Sequence, residues 1–250
     1  MTSELHVRIY PDQPLLAQLI DNIVVLSYEI QAVFADRYGE LSWRADLSDP
    51  AAFWFEREPA AVFRPHFIGS SSGFSNTWLW AWPNINDYPE AVVATATSVR
   101  ALGEQLGCAE LTTAQQSLDA GERGEAGLDT VQQADQSLVF AAAALSALPV
   151  PAYYRAPTGE GSFAWFLLDN PNEFSLPPAS AVPTAAAITQ AVASGYVRDA
   201  RTAVAAYAER RDGVEISDDG DALLVGANDG ELRLEFDAAG RLSRLAGTAE

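Results

Sequence analysis

The side chains that most often carry chemistry are scarce in this chain. Among 250 residues there are two histidines, His6 and His66, and one cysteine, Cys108. All 15 basic residues are arginines, which excludes chemistry that needs lysine, such as a Schiff base or a P-loop phosphate contact. A single cysteine cannot form an intrachain disulfide and argues against a structural zinc site. We therefore assign no catalytic residue, no metal and no cofactor.

Four polar residues could still come together on one face of a predicted antiparallel sheet. Arg44 and Asp46 alternate with apolar residues on one strand, and Arg64 and His66 do so on a later strand. His66 with Asp46 would be an orienting pair for acid–base work, and Arg64 would bind an anion. The other interpretation is a solvated sheet face on which these side chains pair or are hydrated. We keep the four as ligand-binding candidates.

The most distinctive segment, residues 77–84, contains Trp78, Trp80 and Trp82 and ends at Asn84. Residues two apart in a strand share a face, so the three indoles are predicted to point the same way. They form either part of the core or an aromatic platform that lines a pocket, since ligand sites are mostly apolar with a few polar groups. These four residues are also ligand-binding candidates.

Residues 69–73, Gly-Ser-Ser-Ser-Gly, match the G-x-S-x-G pattern of hydrolase nucleophiles. That mechanism needs a turn from a strand into a helix, with an acid and then a histidine later in the chain. A tryptophan-rich strand follows instead, and no histidine lies beyond His66. The segment is predicted to be a flexible hairpin loop.

The formal net charge of −19 is spread along the whole chain, with no basic segment. Such a charge repels nucleic acids and anionic membranes and attracts basic proteins, although acidic surfaces also serve solubility. The first eight residues lack the features of a secretory signal, and the longest apolar run, 138–148, is shorter than the roughly 20 residues that cross a bilayer. We expect a cytoplasmic protein and leave its oligomeric state open.

The first half of the chain alternates between helical and extended patterns. Asp12 to Pro14 resembles a helix start, and one apolar stripe continues from there to Phe34. Four strands are predicted next, at 41–47, 52–55, 61–68 and 76–82. A helix at 87–106 follows, begun by an Asp87–Glu90 capping box and ended by Gly107. A surface connection at 108–126 then leads to a second long helix at 128–148.

The second half begins with two strands, at 152–156 and 162–168, joined by a Pro-Thr-Gly-Glu-Gly turn. Four prolines in 171–183 predict a linker, which divides the chain into 1–170, 171–183 and 184–250. Helices at 184–194 and 197–211 then precede strands separated by Asp-Gly or Ala-Gly turns every 10 residues. The predicted fold class is α+β. An antiparallel meander is covered by helices on one face and is followed by a helical pair and a terminal β-meander. The C-terminal part, 184–250, either packs with the first domain as one unit or forms a separate domain.

Three stretches resemble an uncharacterised bacterial family of domains of unknown function. They are residues 42–47, residues 68–70 leading into the tryptophan segment 77–84, and residues 152–157 with Tyr154, Arg155 and Pro157. Members of that family similarly have a Trp-x-x-Asp-Leu strand, a Thr-Trp-x-Trp-x-Trp-x-Asn strand and a later Tyr-Arg-x-Pro segment. The resemblance covers roughly residues 15 to 170; Pro83 departs from it, because small residues are usual there.

The family resemblance implies a recurrent module but no activity, so the function is inferred from composition and the aromatic segment. The favoured prediction is a non-catalytic binding or interaction protein, with a basic protein as one possible partner. The alternative is a small-molecule-binding protein or a hydrolase-like enzyme that uses an aromatic pocket.

Overall fold

A computed structural model of the chain describes residues 15–118, 141, 143, 144 and 151–249. Within these residues it contains six helices and eleven strands in antiparallel sheets, so the α+β prediction is confirmed. The helices are α1 (Leu15–Asp21), α2 (Val24–Tyr38), α3 (Glu90–Leu106), α4 (Ala109–Thr112), α5 (Ala181–Ala193) and α6 (Ala200–Arg210). The strands are β1 (Trp43–Asp46), β2 (Ala52–Phe55), β3 (Ala61–Ser72), β4 (Thr77–Trp80), β5 (Gln115–Ser117), β6 (Ala152–Gly159), β7 (Ser162–Asp169), β8 (Glu215–Asp219), β9 (Ala222–Ala227), β10 (Gly230–Phe236) and β11 (Leu242–Ala249).

The chain forms two compact units, which are described separately. The central unit is Arg37–Phe174, and the second unit combines the described residues up to Asp36 with Ser175–Glu250. The division into 1–170, 171–183 and 184–250 stays a prediction. None of the helices in the described part of the chain is both long and apolar enough to span a bilayer.

The central unit is organised around the long strand β3. Its first residues pair with β2, which pairs with β1, whereas residues 64–71 pair with β7 and residues 69–72 with β4. Strand β6 adds to β7, and β5 adds to β4. The predicted antiparallel meander is therefore present as β1 to β4, and β7 joins its long strand β3 from about 100 residues further along the chain.

Aromatic side chains fill the core beside β1–β3. Phe53 and Phe55 alternate on β2 with less buried residues, and Phe63 on β3 is buried beside them. The ring centroids of Tyr38 and Phe55 are 5.1 Å apart, and those of Phe53 and Tyr154 are 5.2 Å apart. The first pair is tilted and the second is edge-to-face; alternate residues of the strand bring the rings of Phe53 and Phe55 to one face.

Three local predictions for the central unit are wrong. Residues 69–72 continue β3 rather than forming a loop, because β4 and β7 pair with them on both sides. Asp87 does not cap α3: the helix starts at Glu90 after Pro89, without a side-chain cap. The surface connection predicted at 108–126 contains α4 and β5 and buries Cys108 and Leu111 up to the end of the described segment at 118.

Other predicted boundaries agree closely with the structure. Gly107 ends α3 in the left-handed conformation, with φ of 70°. The strands predicted at 152–156 and 162–168 are β6 and β7. The helix start at 12–14 and most of the helix at 128–148 lie outside the described residues.

In the second unit, the helices α5 and α6 directly precede the predicted hairpins. The helical stripe that begins the chain is divided into α1 and α2, and β8 to β11 form one antiparallel sheet in sequential order. The Asp-Gly turns join β8 to β9 and β9 to β10, as predicted.

A buried ion pair connects distant parts of the second unit. The Arg211 guanidinium donates to the Glu29 carboxylate, with Nε 2.9 Å from Oε2. The Tyr207 hydroxyl donates to the same carboxylate at 2.8 Å, and burial raises the pKa of Tyr207. Because all three side chains are buried, removing one charged partner of the Glu29–Arg211 pair would leave the other charge uncompensated in the core.

Candidate functional site

The tryptophan segment supplies two core residues and one residue outside the strand. Trp78 and Trp80 lie on β4, opposite Ser71 and Gly69 of β3, and both are buried. Their ring centroids are 5.3 Å apart in an edge-to-face arrangement. Trp82 lies beyond the end of β4 and is half-buried, with the Arg100 guanidinium 4.5 Å from its ring centroid. The prediction of three indoles on one strand is therefore wrong for Trp82.

Asn84 holds the loop that follows β4 in a defined shape. Its Oδ1 accepts a hydrogen bond from the Tyr88 backbone N–H at 3.0 Å, and its Nδ2 donates to the Tyr88 carbonyl at 2.9 Å. Asn84 itself has a φ of 47°, which asparagine adopts more readily than most residues. The Asn84 side chain thus supplies both hydrogen bonds to the Tyr88 backbone, and the loop is pre-organised.

A cleft of about 80 Å³ lies between this loop and strands β3 and β4. Its walls are mostly apolar, with a few hydroxyl and amide groups. They are formed by Phe67, Ser70, Leu79, Trp80, Ala81, Asn84, Ile85, Asn86 and Tyr88. Ile85 is 71% exposed, so an apolar side chain stands at the rim in water.

The walls of the cleft are fixed by packing behind them. Phe67 and Tyr88 meet edge-to-face with ring centroids 5.6 Å apart, and both pack on the small core cluster that includes Ala81 and Ala96. The Trp80 indole N–H donates to the Glu110 carbonyl at 3.0 Å. The polar edge of this buried indole therefore has a partner, which fixes Trp80 in the wall of the cleft.

His66 and Arg64 meet a carboxylate other than the predicted one. The Arg64 guanidinium bonds to Asp169 of β7, and His66 Nε2 lies 4.0 Å from the same carboxylate. His66 is buried, and its Nδ1 is 2.9 Å from the Thr95 hydroxyl of α3. Burial, followed by the charge of Arg64, lowers the pKa of His66 despite the opposing effect of Asp169.

Arg44 and Asp46 remain on β1, engaged with local partners. The Arg44 guanidinium lies 4.0 Å from the ring centroid of Trp54. Asp46 accepts hydrogen bonds from the Ser48 hydroxyl and backbone N–H, which lower the pKa of its carboxyl group. The predicted pair of His66 with Asp46 is thus replaced by His66 with Asp169, because β7 pairs with β3 from Arg64 onward.

The comparisons with known proteins give one match. The model of a family of unknown function, DUF6882, matches residues 17–171, which is more than half of the chain. The chain belongs to the DUF6882 family. No curated protein and no solved structure matches it.

The region matched by the DUF6882 model contains every residue of the cleft. Sequence reasoning found Trp80 and Asn84 but missed Phe67, Ile85 and Tyr88. A usable signal was present: Asn84 and Tyr88 are four residues apart between Pro83 and Pro89, a spacing typical of a closed loop.

Two other reactive groups of this DUF6882 chain are buried and engaged. The Ser71 hydroxyl accepts a hydrogen bond from the Trp165 indole N–H at 2.9 Å, inside the strand rather than in an exposed turn. Burial raises the pKa of the Cys108 thiol to about 11, and its hydrogen bond to Glu110 adds to this effect. Among the residues that the structure describes, no three potential ligands form a group that could hold a metal.

Proposed function

We propose that this protein is a binding protein whose cleft receives an aliphatic side chain of a protein partner. The observation that carries the proposal is an open, mostly apolar cleft beside a pre-organised loop, with Ile85 exposed at its rim. Pre-organised apolar pockets ringed by a few polar groups are typical anchor sites in interfaces, since little ordering is required on binding.

The volume of the cleft favours a side chain over a whole small molecule. Sites for drug-sized ligands usually measure about 300–1,000 Å³, and a cavity of about 150 Å³ is known to hold benzene. The cleft measures about 80 Å³, which suits a leucine or valine side chain better than an aromatic ring. The polar groups of Ser70 and Asn86 would face the backbone of the partner at this position.

The geometry around Ser71 gives less support to a hydrolase-like enzyme. An activated serine needs a base within hydrogen-bonding reach and an exposed hydroxyl. Ser71 is buried and bonded to an indole, which cannot accept a proton.

Two-dimensional ¹⁵N–¹H NMR with N-acetyl-leucinamide tests the proposal. Burying one aliphatic side chain contributes about 1.5–3 kcal/mol before the costs of association, so the titration should saturate in the millimolar range. We expect the Trp80 indole N–H and the Asn86 side-chain amide to shift. The substitution Ser70→Leu, which places a side chain in the cleft, should abolish these shifts.

Two further variants keep this experiment decisive. Ser98→Leu adds the same side chain on the exposed face of α3, and it should leave the titration unchanged. Ile85→Ser alters only the exposed rim and should weaken binding a few-fold without affecting folding. Absence of any shift in the unsubstituted protein, or shifts that persist in Ser70→Leu, would refute the proposal.

A further inference from the structure

The rim of the cleft carries charge of one sign. Asp87 lies in the loop between two residues of the cleft wall, and Glu90 begins α3 immediately afterwards; both are exposed. Neither carboxylate forms an ion pair within the described part of the chain, and the residues that line the cleft include no arginine. An incoming group at this position therefore meets two uncompensated negative charges.

The position of Asp87 is fixed by the backbone rather than by its own side chain. Its φ is 52°, and its backbone N–H donates to the Asn84 carbonyl at 3.1 Å. The same loop is held by the two hydrogen bonds between Asn84 and Tyr88. A carboxylate presented on a rigid loop loses little conformational freedom when it pairs with a cation.

Three other acidic residues of the central unit form ion pairs within the chain, whereas Glu40 and Glu56 form none among the described residues. Glu104 pairs with Arg100 on α3, Asp169 with Arg64, and Glu173 with Arg57. What distinguishes Asp87 and Glu90 from Glu40 and Glu56 is their place beside an apolar cleft, where both carboxylates are unpaired. The overall charge of −19 adds a long-range attraction for cations in the same direction.

We propose that the partner is a basic protein segment in which an aliphatic residue enters the cleft and neighbouring lysine or arginine side chains meet Asp87 and Glu90. This inference rests on the proposed function, since it names the chemistry of the partner for the same cleft. The aliphatic residue fixes the position, and the flanking cations select the segment and accelerate its encounter.

Four capped pentapeptides measured by the same NMR titration test this inference. The central leucine is flanked by two lysines, two glycines or two glutamates on each side, and a fourth peptide has a central glycine among lysines. At low salt we expect the lysine–leucine peptide to bind roughly 5- to 10-fold more tightly than the glycine–leucine peptide. The glutamate–leucine peptide should bind most weakly, and the preference for lysine should shrink in high salt.

The double variant Asp87→Asn with Glu90→Gln removes both negative charges and tests whether these two carboxylates cause the preference for lysine. Asparagine tolerates the positive φ of position 87, so the loop is expected to keep its shape. This double variant should bind the lysine–leucine and glycine–leucine peptides to within about 2-fold of each other, whereas Glu40→Gln with Glu56→Gln, two exposed acids elsewhere in the unit, should leave the preference intact.

The outcomes separate this inference from the proposed function. Equal binding of the three leucine peptides, lost in Ser70→Leu, would overturn the basic partner and leave the cleft as a binding site. Failure of all leucine peptides to bind would overturn both. Binding of the lysine–glycine peptide as tightly as the lysine–leucine peptide would show attraction to the general acidic surface, and it would also overturn the inference.

Discussion

The pH dependence of stability should reveal the raised pKa of one buried carboxyl group, that of Asp21. This side chain ends α1 and accepts backbone hydrogen bonds from Arg198 at 2.8 Å and Asp199 at 3.2 Å, just before α6. Burial is the largest effect on it and raises its pKa from 3.8 to about 6, although the two hydrogen bonds oppose that shift. The folded protein therefore binds a proton at Asp21 at a pH where the unfolded chain does not.

The sign and size of the effect follow from linkage. Between the two pKa values the folded state holds more protons, so stability contributed by Asp21 increases as the pH falls and is lost as the pH rises through about 6. From pH 7.5 to pH 5.0 the gain amounts to about 1.4 kcal/mol of unfolding free energy. Lower pH is best avoided, because the isoelectric point calculated from the sequence is about 4.3.

Urea unfolding of the protein and of Asp21→Asn, followed by far-UV circular dichroism at both pH values, measures this contribution. Asp21→Asn should lack this increase in unfolding free energy at the lower pH, whatever its absolute stability. The matched control is Asp229→Asn in the same unit: hydrogen bonds from the Ser180 hydroxyl and the Ala181 N–H lower the pKa of Asp229, so it stays ionised throughout this range. Identical pH dependence in the protein and in Asp21→Asn would show that the reasoning about burial is wrong.

Three further predictions concern packing and buried polar groups. Gly69→Ala places a methyl carbon 2.5 Å from a ring atom of Trp78 and should cost about 1–3 kcal/mol of stability, measured by tryptophan fluorescence in urea. Glu29→Gln or Arg211→Met alone should each cost about 3–5 kcal/mol, and the double variant should cost less than the sum; strict additivity in circular dichroism would contradict the coupling. Ser71→Ala leaves a buried indole N–H without its acceptor and should cost about 1–3 kcal/mol; an unchanged urea midpoint would count against that hydrogen bond.

Elements specified by neighbouring residues were predictable from the sequence. The hairpins of β8 to β10 follow from Asp-Gly turns and alternating residues, and Gly107 ends α3 through its own backbone conformation. In each case the decisive interaction lies within a few residues, so a local pattern contains it.

The errors concern interactions between distant segments. Residues 69–72 have the composition of a loop, yet they form a strand because all four pair with β4 and residues 69–71 also pair with β7, about 95 residues later. Asp169, the carboxylate near His66, comes from the same distant strand, so no spacing in the sequence indicated it. Asn84 was identified as a polar neighbour of the indoles, but its role in fixing the loop depends on Tyr88, which the patterns did not single out.

The pairing of β3 with β7 also sets an order of events during synthesis. The residues that line the cleft all lie between 67 and 88, but one edge of β3 stays open until residues 163–169 have emerged from the ribosome. An open strand edge beside exposed aromatic residues favours aggregation of the incomplete chain. A nascent chain that stops before β7 therefore contains every residue of the cleft and still lacks the strand that completes its supporting sheet.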